Sequence, residues 1–367
     1  MLTHLTRVGM RRPGSTVQVL PELRAKQAEH LAERPDVTCL FYGIKWDIRE
    51  GDVPNNAHAV SIWQACLGVA LYAQSTVEVP EPLWLREFPR TAVVALSAKL
   101  GGVIRRKQVR VVSYAIENSE FSELVGDVPC HRFVRLVLGA FLKLYLRYAV
   151  DFVVFGTPGA QRAYAAVWPR AERYPVILEL PASRGVGRRA RQGLVFLGET
   201  SPRKGVDVAM SSWELLEVEF PDAVFSIAGT GPLDDAITRW CRANPGQRRF
   251  LGLLPHEEAL ELIGSALVLV APSVREKRWR EQVGLPISEA LSLGLTVVTT
   301  DETGLAGYLS SRGHQVVQSE MLSPQSLAAA MSAALASPLP MSHVSGDLPA
   351  VHGRHRSHEV LHGGSGD

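Results

Sequence analysis

The chain has 367 residues, 46% of them hydrophobic, which is enough for two packed domains and too few for a large multidomain protein. Its 39 lysines and arginines nearly balance 37 aspartates and glutamates, and the net charge of +2 argues against a strongly basic nucleic-acid binder. The cysteines at positions 39, 66, 130 and 241 are too far apart for a zinc finger or a disulfide-rich domain.

The first half of the sequence alternates between helical and extended patterns. Helices are predicted at 22–33, 57–73, 91–107 and 131–148, and strands at 37–42, 76–79, 109–114 and 152–155. Short apolar strands separated by helices indicate a parallel sheet that is covered on both faces.

The predicted helix 131–148 has two interpretations. It is rich in Leu, Phe, Tyr and Val, but four basic residues interrupt it: Arg132, Arg135, Lys143 and Arg147. Together with Gly139 they fall at spacings of three and four, which makes one basic stripe. Either it packs on the sheet with one wet face, or it docks on an anionic membrane. It is too charged to span a bilayer, and residues 1–15 lack the apolar stretch of a signal peptide. We therefore expect a cytoplasmic protein, with contact to the inner face of the membrane as the alternative.

A change of composition separates the halves. Residues 176–192 are rich in Pro, Gly and Arg and are predicted to link an N-terminal domain, 1–175, to a C-terminal domain, 193–336. Within the linker, 185–190 matches the dinucleotide pattern GxGxxA, but a strand follows it where that pattern needs a helix. A nicotinamide-dependent oxidoreductase is therefore disfavoured.

The second half is more regular. Strands are predicted at 194–197, 224–228, 249–251, 267–270 and 296–300, with helices between them, which gives a doubly wound α/β sheet of five strands. Residues 337–367 hold many Pro and Gly residues and five of the eleven histidines, and we expect a disordered tail. Metal binding by those histidines stays open as a compositional hint.

The stretch from Glu281 to Thr300 carries the clearest chemical pattern. Pro286 suits the first turn of a helix and Gly294 the position after its end, so a helix is predicted at 287–293 with Glu289 in its first turn. The amides of Val283, Gly284 and Leu285 would then form a phosphate seat with the helix dipole. The alternative is that Glu289 only complements the dipole and that Glu281 is a solvated surface charge.

Several motifs follow one another in a fixed order. They are Leu197-Gly198, Lys204-Gly205-Val206-Asp207, Ile227 to Pro232, Phe250-Leu251-Gly252, Ala271-Pro272-Ser273, and Glu281-x7-Glu289 with Gly294. Together they resemble the GT-B glycosyltransferases of family 4, which are retaining enzymes that use nucleotide-activated sugars. The resemblance covers about residues 194–317 and implies two Rossmann-like domains that face each other across a cleft.

The resemblance implies a role for each matching residue. Glu289 would bind the ribose hydroxyls, Glu281 would orient the donor sugar, and Lys204 would neutralise the diphosphate leaving group, although a solvated lysine is the simpler alternative. Gly229 and Gly231 would lie against the donor. The co-substrate would be a UDP- or GDP-linked sugar, the acceptor a glycan, a lipid or a small molecule, and neither a metal nor another cofactor would be required.

The sequence also departs from the family pattern. Glu199 stands where the family usually has an arginine, so we expect Arg203 or a basic residue of loop 275–280 to replace that cation. The N-terminal half lacks the family's histidine after a middle strand, and Glu117 and Asn118 are the candidates for acceptor contacts, or else form a loop and a helix cap. These departures keep a non-catalytic nucleotide-sugar binder open as the alternative function.

Overall fold

The computed structural model describes residues 16–45, 48, 50–72, 75–126, 131–184, 191–277 and 279–363. It divides into two compact units. Unit 1 contains residues 1–177 and 355–367, and unit 2 contains residues 178–354. The GxGxxA pattern at 185–190, Cys130 and Arg278 lie outside the described residues.

Unit 1 is built on a six-stranded, wholly parallel sheet. Its elements are β1 (Thr16–Leu23), α1 (Ala25–Ala32), β2 (Val37–Ile44), β3 (Ala57–Ala59), α2 (Ile62–Leu71), β4 (Thr76–Val79), α3 (Phe88–Ile104), β5 (Arg110–Ala115), α4 (Phe121–Val125), α5 (His131–Tyr148), β6 (Phe152–Phe155) and α6 (Pro158–Val167). The strand order is β3-β2-β1-β4-β5-β6. Helices cover both faces, as the apolar strands require.

Two predicted elements of unit 1 are corrected. The helix expected at 22–33 is preceded by strand β1, which lies at the centre of the sheet between β2 and β4. The helix expected at 57–73 is the short edge strand β3 followed by α2, whose first turn is capped by Ser61. Pro21 and Glu22, near the end of β1, hide the strand pattern because both residue types are uncommon in strands.

Unit 2 repeats the same topology. Its elements are β7 (Leu194–Leu197), α7 (Val206–Glu214), β8 (Phe225–Ala228), α8 (Asp234–Ala243), β9 (Arg248–Phe250), α9 (His256–Ser265), β10 (Val268–Ala271), α10 (Leu285–Ser292), β11 (Thr296–Thr300), α11 (Ala306–Ser311), β12 (Gln315–Val317), α12 (Pro324–Ala336) and α13 (Met341–Gly346). All strand pairs are parallel, in the order β12-β11-β10-β7-β8-β9. The sheet therefore has one strand more than predicted, the short edge strand β12.

The region expected to be a disordered tail differs from that prediction. It holds helix α13 in unit 2 and a further helix, α14 (Gly353–His362), most of which belongs to unit 1. Val344 of α13 and Leu361 of α14 are buried in separate apolar clusters. A few well-placed apolar residues thus order a segment whose average composition is polar and rich in glycine and proline.

Both sheets have the strand order of a Rossmann fold. In unit 2 the direction of winding reverses between β7 and β10, so the loops that leave these two strands separate there. Ligands of open parallel sheets bind at such a switch point, beyond the carboxyl ends of the strands. A ligand site is therefore expected at the segments that follow Leu197 and Ala271.

Candidate functional site

A small cleft lies at the switch point of the unit 2 sheet. It encloses about 260 Å³, including space open to solvent. Its lining residues are Phe196, Leu197, Lys204, Ala271, Ser273, Glu281, Gly284, Pro286 and Ile287. They come from β7, β10, the loops after them and the start of α10. Two of the predicted catalytic residues, Lys204 and Glu281, thus share one cleft.

Lys204 and Glu281 form an ion pair across 77 residues of sequence. Lys204 Nζ donates to Glu281 Oε2 at 2.5 Å, and Ser273 Oγ donates to the same oxygen at 3.0 Å. Their side chains are 21% and 13% exposed, so solvent screens the pair only in part. Glu281 is therefore a held carboxylate inside a cleft, and the alternative of a solvated surface charge does not describe it.

The start of α10 follows the predicted loop closely. Gly284 has a φ of +84°, a left-handed conformation that glycine adopts without strain, and Pro286 lies in the first turn. The helix begins at Leu285, two residues earlier than predicted, which moves Glu289 out of the first turn. Because the amides of a first turn have no partner within the helix, this end of α10 is suited to an anion.

Glu289 is buried, with 8% of its surface exposed. The imidazole of His256 lies nearby, with Nδ1 3.6 Å from Glu289 Oε1. A carboxylate that served only the helix dipole would gain nothing from burial, which disfavours a charged side chain. The placement fits a side chain kept for hydrogen bonds to a ligand.

The turn after β8 packs tightly on the loop after β7. Gly229 has a φ of +141°, and a Cβ there would stand 1.7 Å from the carbonyl oxygen of Gly198. At Gly231 a Cβ would lie 2.8 Å from the carbonyl oxygen of Thr200. Both predicted glycines therefore permit a backbone approach that a side chain would block.

Asp234, which the sequence analysis did not single out, fixes this turn. It accepts hydrogen bonds from the Gly231 amide at 2.9 Å, from the Thr230 hydroxyl at 2.8 Å and from the Thr200 hydroxyl. Burial alone would raise the pKa of Asp234, but these hydrogen bonds outweigh it and lower the pKa. Its position three residues after Gly231, at the start of α8, was the signal available in the sequence.

The cations beside the cleft meet on one aromatic ring. Arg203 Cζ lies 4.3 Å and Lys204 Nζ 4.8 Å from the ring centre of Trp279. Arg203 also pairs with Glu199, the residue at the family's arginine position. Arg203 is thus next to Lys204, where a substitute cation is needed, and Glu199 neutralises part of its charge.

The basic loop is largely engaged elsewhere. Arg280 Nε lies 2.7 Å from Oε2 of the buried Glu302 in an ion pair, and Arg275 Nε lies 3.7 Å from the same oxygen. Arg203 is therefore the better candidate for the second cation among the described residues. That role stays a prediction.

The predicted acceptor residues lie after β5 in unit 1. Asn118 is buried and accepts a hydrogen bond at 2.5 Å from the hydroxyl of Thr157, which caps α6. Glu117 accepts from the Ser119 amide at 2.9 Å. Glu81, which the sequence analysis missed, accepts from the amides of Ile116 and Glu117 at 3.0 Å. Asn118 thus has a structural role in the loop, and contact with an acceptor remains a prediction for both residues.

Potential metal ligands gather elsewhere. Among the described residues, the groups of histidine, cysteine and carboxylate side chains close enough to share an ion belong to unit 1, and none includes a residue of the cleft. The cleft offers a lysine, a carboxylate and the N-terminus of α10, with Arg203 beside the lysine and Glu289 further along α10. This combination can bind a phosphate group and hydroxyls next to it.

Comparisons with known proteins agree with this arrangement. Residues 191–337 match the family model of glycosyl transferases group 1. The glycogen synthase of Mycobacterium tuberculosis is 32% identical over 143 residues, which are 38% of this chain and 30% of that protein. The chain therefore spans about a third of the length of the curated relatives it matches.

Solved structures extend the likeness to nearly the whole chain. WaaG, a glycosyltransferase involved in lipopolysaccharide biosynthesis, superposes with a TM-score of 0.61 at 15% identity, covering 95% of this chain and all of that one. Anabaena HepE in complex with UDP gives a TM-score of 0.63 at 10% identity, covering 94% and 95%. Identities this low establish the fold and nothing finer. Residues 191–337 are thus similar to the glycosyl transferases group 1 family, and the chain as a whole has the GT-B fold with its two Rossmann-like domains.

Proposed function

We propose that this protein is a retaining glycosyltransferase that moves a sugar from a nucleoside diphosphate to an acceptor hydroxyl. The observation that carries the proposal is the Lys204–Glu281 pair in the cleft at the unit 2 switch point, beside the N-terminus of α10. The matched family and the UDP held by a protein of the same fold support a UDP- or GDP-linked donor. Retention rests on the resemblance to family 4.

The site residues would divide the work as follows. Lys204 and Arg203 would stabilise the negative charge that grows on the diphosphate as the glycosidic bond breaks. Glu281 would turn from Lys204 toward the hydroxyls of the donor sugar, and the first amides of α10, at Val283, Gly284 and Leu285, would bind the phosphates. Glu289 would hold the ribose, since a buried carboxylate accepts hydroxyl hydrogen bonds strongly. None of these steps requires a metal ion.

Donor hydrolysis tests the catalytic half of the proposal. Without acceptor, the protein is expected to hydrolyse its donor sugar slowly, and Lys204→Met is expected to lower that rate by about 10²–10³, the usual loss when a transition-state donor is removed. Glu281→Gln should lower it similarly. The exposed Glu261→Gln on α9 is the matched control and should leave the rate unchanged. Equal rates in all four proteins would contradict the proposal.

A non-catalytic nucleotide-sugar binder is the second candidate, because Glu199 neutralises part of the charge of Arg203. Both candidates predict that UDP or GDP raises the thermal midpoint, and that Glu289→Gln weakens this effect. Only the enzyme releases free sugar. A ligand-induced shift without any hydrolysis or transfer would identify the binder.

We also propose that unit 1 docks on an anionic membrane. No helix among the described residues is long and apolar enough to span a bilayer. Helices α2, α3 and α5 nevertheless expose many large apolar side chains: Trp63, Leu67, Leu71, Leu100, Val103, Ile104, Phe133, Leu136, Val137, Leu144 and Tyr148. On α5 they alternate with Arg132, Lys143 and Arg147, so this side of the helix is apolar and basic together. That combination is better explained by contact with an anionic lipid surface than by simple exposure to solvent. Such a contact would also suit a lipid-linked acceptor.

Flotation with vesicles tests the membrane contact. The protein is expected to float with vesicles that contain anionic lipid at low salt and to remain behind with neutral vesicles. Leu136→Glu, at a position 72% exposed on α5, should abolish flotation without disturbing a core. Val218→Glu is the control on unit 2, where an apolar residue is 93% exposed. Flotation that the Leu136 variant retains would contradict the proposal.

A further inference from the structure

A cluster of one glutamate and two histidines lies in unit 1, apart from the donor-site residues. Glu78 comes from β4, whereas His358 and His362 come from α14, 280 and 284 residues later. His358 Nδ1 and His362 Nε2 lie 2.9 and 2.8 Å from Glu78 Oε2. The three side chains are only 5%, 2% and 6% exposed, in the order Glu78, His358, His362. Three potential metal donors from two distant segments therefore meet in one enclosed place.

The local structure explains why they meet. Residues four apart lie on one face of a helix, so His358 and His362 point the same way from α14. Leu361 on that helix is fully buried among Val112, Tyr114 and Val154 of the sheet, which holds α14 against it.

Alternation along β4 places Glu78 on the opposite face from its neighbours. Val77 and Val79 belong to the main core of unit 1 on the other side of the sheet. A carboxylate is therefore directed into the contact between α14 and the sheet, where an apolar side chain would ordinarily stand. Buried charges of this kind are paired or coordinate metals.

We propose that Glu78, His358 and His362 bind a divalent transition-metal ion, with Zn²⁺ as the preferred ion, which fastens α14 to the sheet of unit 1. Two imidazole nitrogens and a carboxylate oxygen are common zinc ligands. Tetrahedral zinc with bonds of 2.0–2.2 Å sets its donor atoms about 3.3 Å apart. The two nitrogen–oxygen distances, 2.9 and 2.8 Å, are within a few tenths of an ångström of that spacing, and all donor atoms lie within 4.8 Å of one another, so side-chain shifts of at most about 1.5 Å would admit an ion.

The surroundings orient the carboxylate for such an ion. Gln18, the register partner of Glu78 on β1, donates from Nε2 to Glu78 Oε1 at 3.0 Å. This bond leaves Oε2 for the ion, in the way that outer hydrogen bonds orient metal ligands. Both imidazoles now contact that one oxygen, at 2.9 and 2.8 Å, so the three donor atoms are already gathered and an ion would replace the two hydrogen bonds.

Metal binding by His362 requires that the hydrogen bond between Arg34 and its imidazole be broken. Arg34 Nη2 lies 2.9 Å from His362 Nδ1, which accepts this bond while Nε2 carries the ring proton toward Glu78. When Nε2 binds an ion, the ring proton moves to Nδ1, so no proton is lost but Nδ1 becomes a donor. Arg34 must then turn away, and Asp36, already 3.4 Å from the same Nη2, can receive it. The arginine thus competes with the metal, by hydrogen bonding and by charge.

Metal content tests the proposal independently of any transfer activity. The full chain, carrying a tag without histidine, is dialysed against Zn²⁺ and then against metal-free buffer, and zinc is measured by plasma mass spectrometry. About one zinc ion per chain is expected. A zinc-free chain after this treatment would overturn the proposal. Cobalt in place of zinc should give the visible absorption bands of a tetrahedral site.

Variants locate the ion. His362→Gln should lower zinc affinity by more than the about 10–100-fold that loss of a supporting contact costs. Arg34→Ala should raise it, because a competing donor and a positive charge are removed. Two other histidines serve as controls: His355→Gln, on the same helix, and His343→Gln, on α13, should bind zinc as the unaltered chain does. Unchanged zinc binding in the His362 variant, or its loss in the His355 variant, would show that the ion is not held by this cluster.

Discussion

At the scale of single residues, Trp279 determines how the cations of the donor site are arranged. Its ring lies under both Arg203 and Lys204, at 4.3 and 4.8 Å. A ring face attracts positive charge without neutralising it, unlike a carboxylate. Trp279 can therefore hold both side chains near the cleft and leave their charge available for a diphosphate.

Replacement of Trp279 should weaken donor binding. We expect Trp279→Ala to lower the affinity for UDP or GDP about tenfold, since a partly buried cation–π contact contributes about 1–2 kcal/mol. Trp279→Phe should retain most of the affinity. Isothermal titration calorimetry measures both, with the exposed Trp63→Ala in unit 1 as the matched control. An unchanged affinity in Trp279→Ala would show that the ring does not arrange these cations.

Gly229 gives a second prediction at this scale. A Cβ there meets the Gly198 carbonyl oxygen at 1.7 Å, so Gly229→Ala must move the backbone of one loop. We expect a loss of about 2–4 kcal/mol in the free energy of unfolding, together with weaker nucleotide binding. Gly307→Ala on α11, where the added Cβ meets nothing within 4 Å, should be neutral or slightly stabilising. Chemical denaturation compares the two, and equal effects would contradict the argument.

At the scale of elements, the sequence predicts those whose pattern is decided locally. Strands β4, β6, β7 and β11 have the predicted bounds because each is a short run rich in β-branched or other apolar residues. Strand β1 and helix α14 were missed for a different reason. The polar residues Gln18 in β1 and His358 in α14 are buried only because they meet Glu78 from elsewhere in the chain, and no local pattern shows such a meeting.

The same limit applies to the candidate site. The Gly284–Pro286 loop, the glycine turns and the glutamates were predictable from motif and spacing. The ring of Trp279 under two cations, and the hydroxyl of Ser273 on Glu281, depend on contacts between separate loops. These contacts are set by the packing of the strands that carry the loops.

His314, between α11 and β12, links two elements through a neutral imidazole. Its Nδ1 accepts a hydrogen bond from the Val297 amide at 3.0 Å. Burial, with a smaller contribution from His343, lowers its pKa from 6.5 to about 4, while Asp347 acts in the opposite direction. In the unfolded chain His314 is therefore protonated below about pH 6.5, whereas in the folded chain it is protonated only below about pH 4.

The stability contributed by His314 is thus fully present above pH 6.5 and is lost as the pH falls to 4. We expect the free energy of unfolding to drop by about 3 kcal/mol over this window from this residue alone. His314→Asn, whose side-chain oxygen can accept the same amide, should flatten the decline. Urea denaturation at a series of pH values measures it, with the exposed His256→Asn as control. An equally steep decline in His314→Asn would assign the pH dependence to other groups.

At the scale of the whole molecule, a segment near the end of the sequence belongs to unit 1 and not to unit 2, which precedes it. Residues 355–367 cluster with 1–177, so unit 1 is discontinuous in sequence. The predicted domain boundaries miss this because composition reports where a chain is polar and cannot report that it returns to an earlier sheet. The stability of unit 1 therefore depends on α14, most of which follows unit 2 in the sequence.

Leu361 makes this dependence measurable. It is fully buried among Val112, Tyr114 and Val154, so Leu361→Ala leaves a cavity on the unit 1 sheet and should cost about 2–5 kcal/mol. Val360→Ala, at a neighbouring position 36% exposed, removes less buried surface and should cost under about 1 kcal/mol. Native-state hydrogen exchange separates the units: amides of β4 and β5 should exchange faster in Leu361→Ala, whereas those of β10 and β11 should not change. Faster exchange in β10 and β11 alone would mean that α14 supports unit 2 instead, and the assignment of residues 355–367 to the first unit would be wrong.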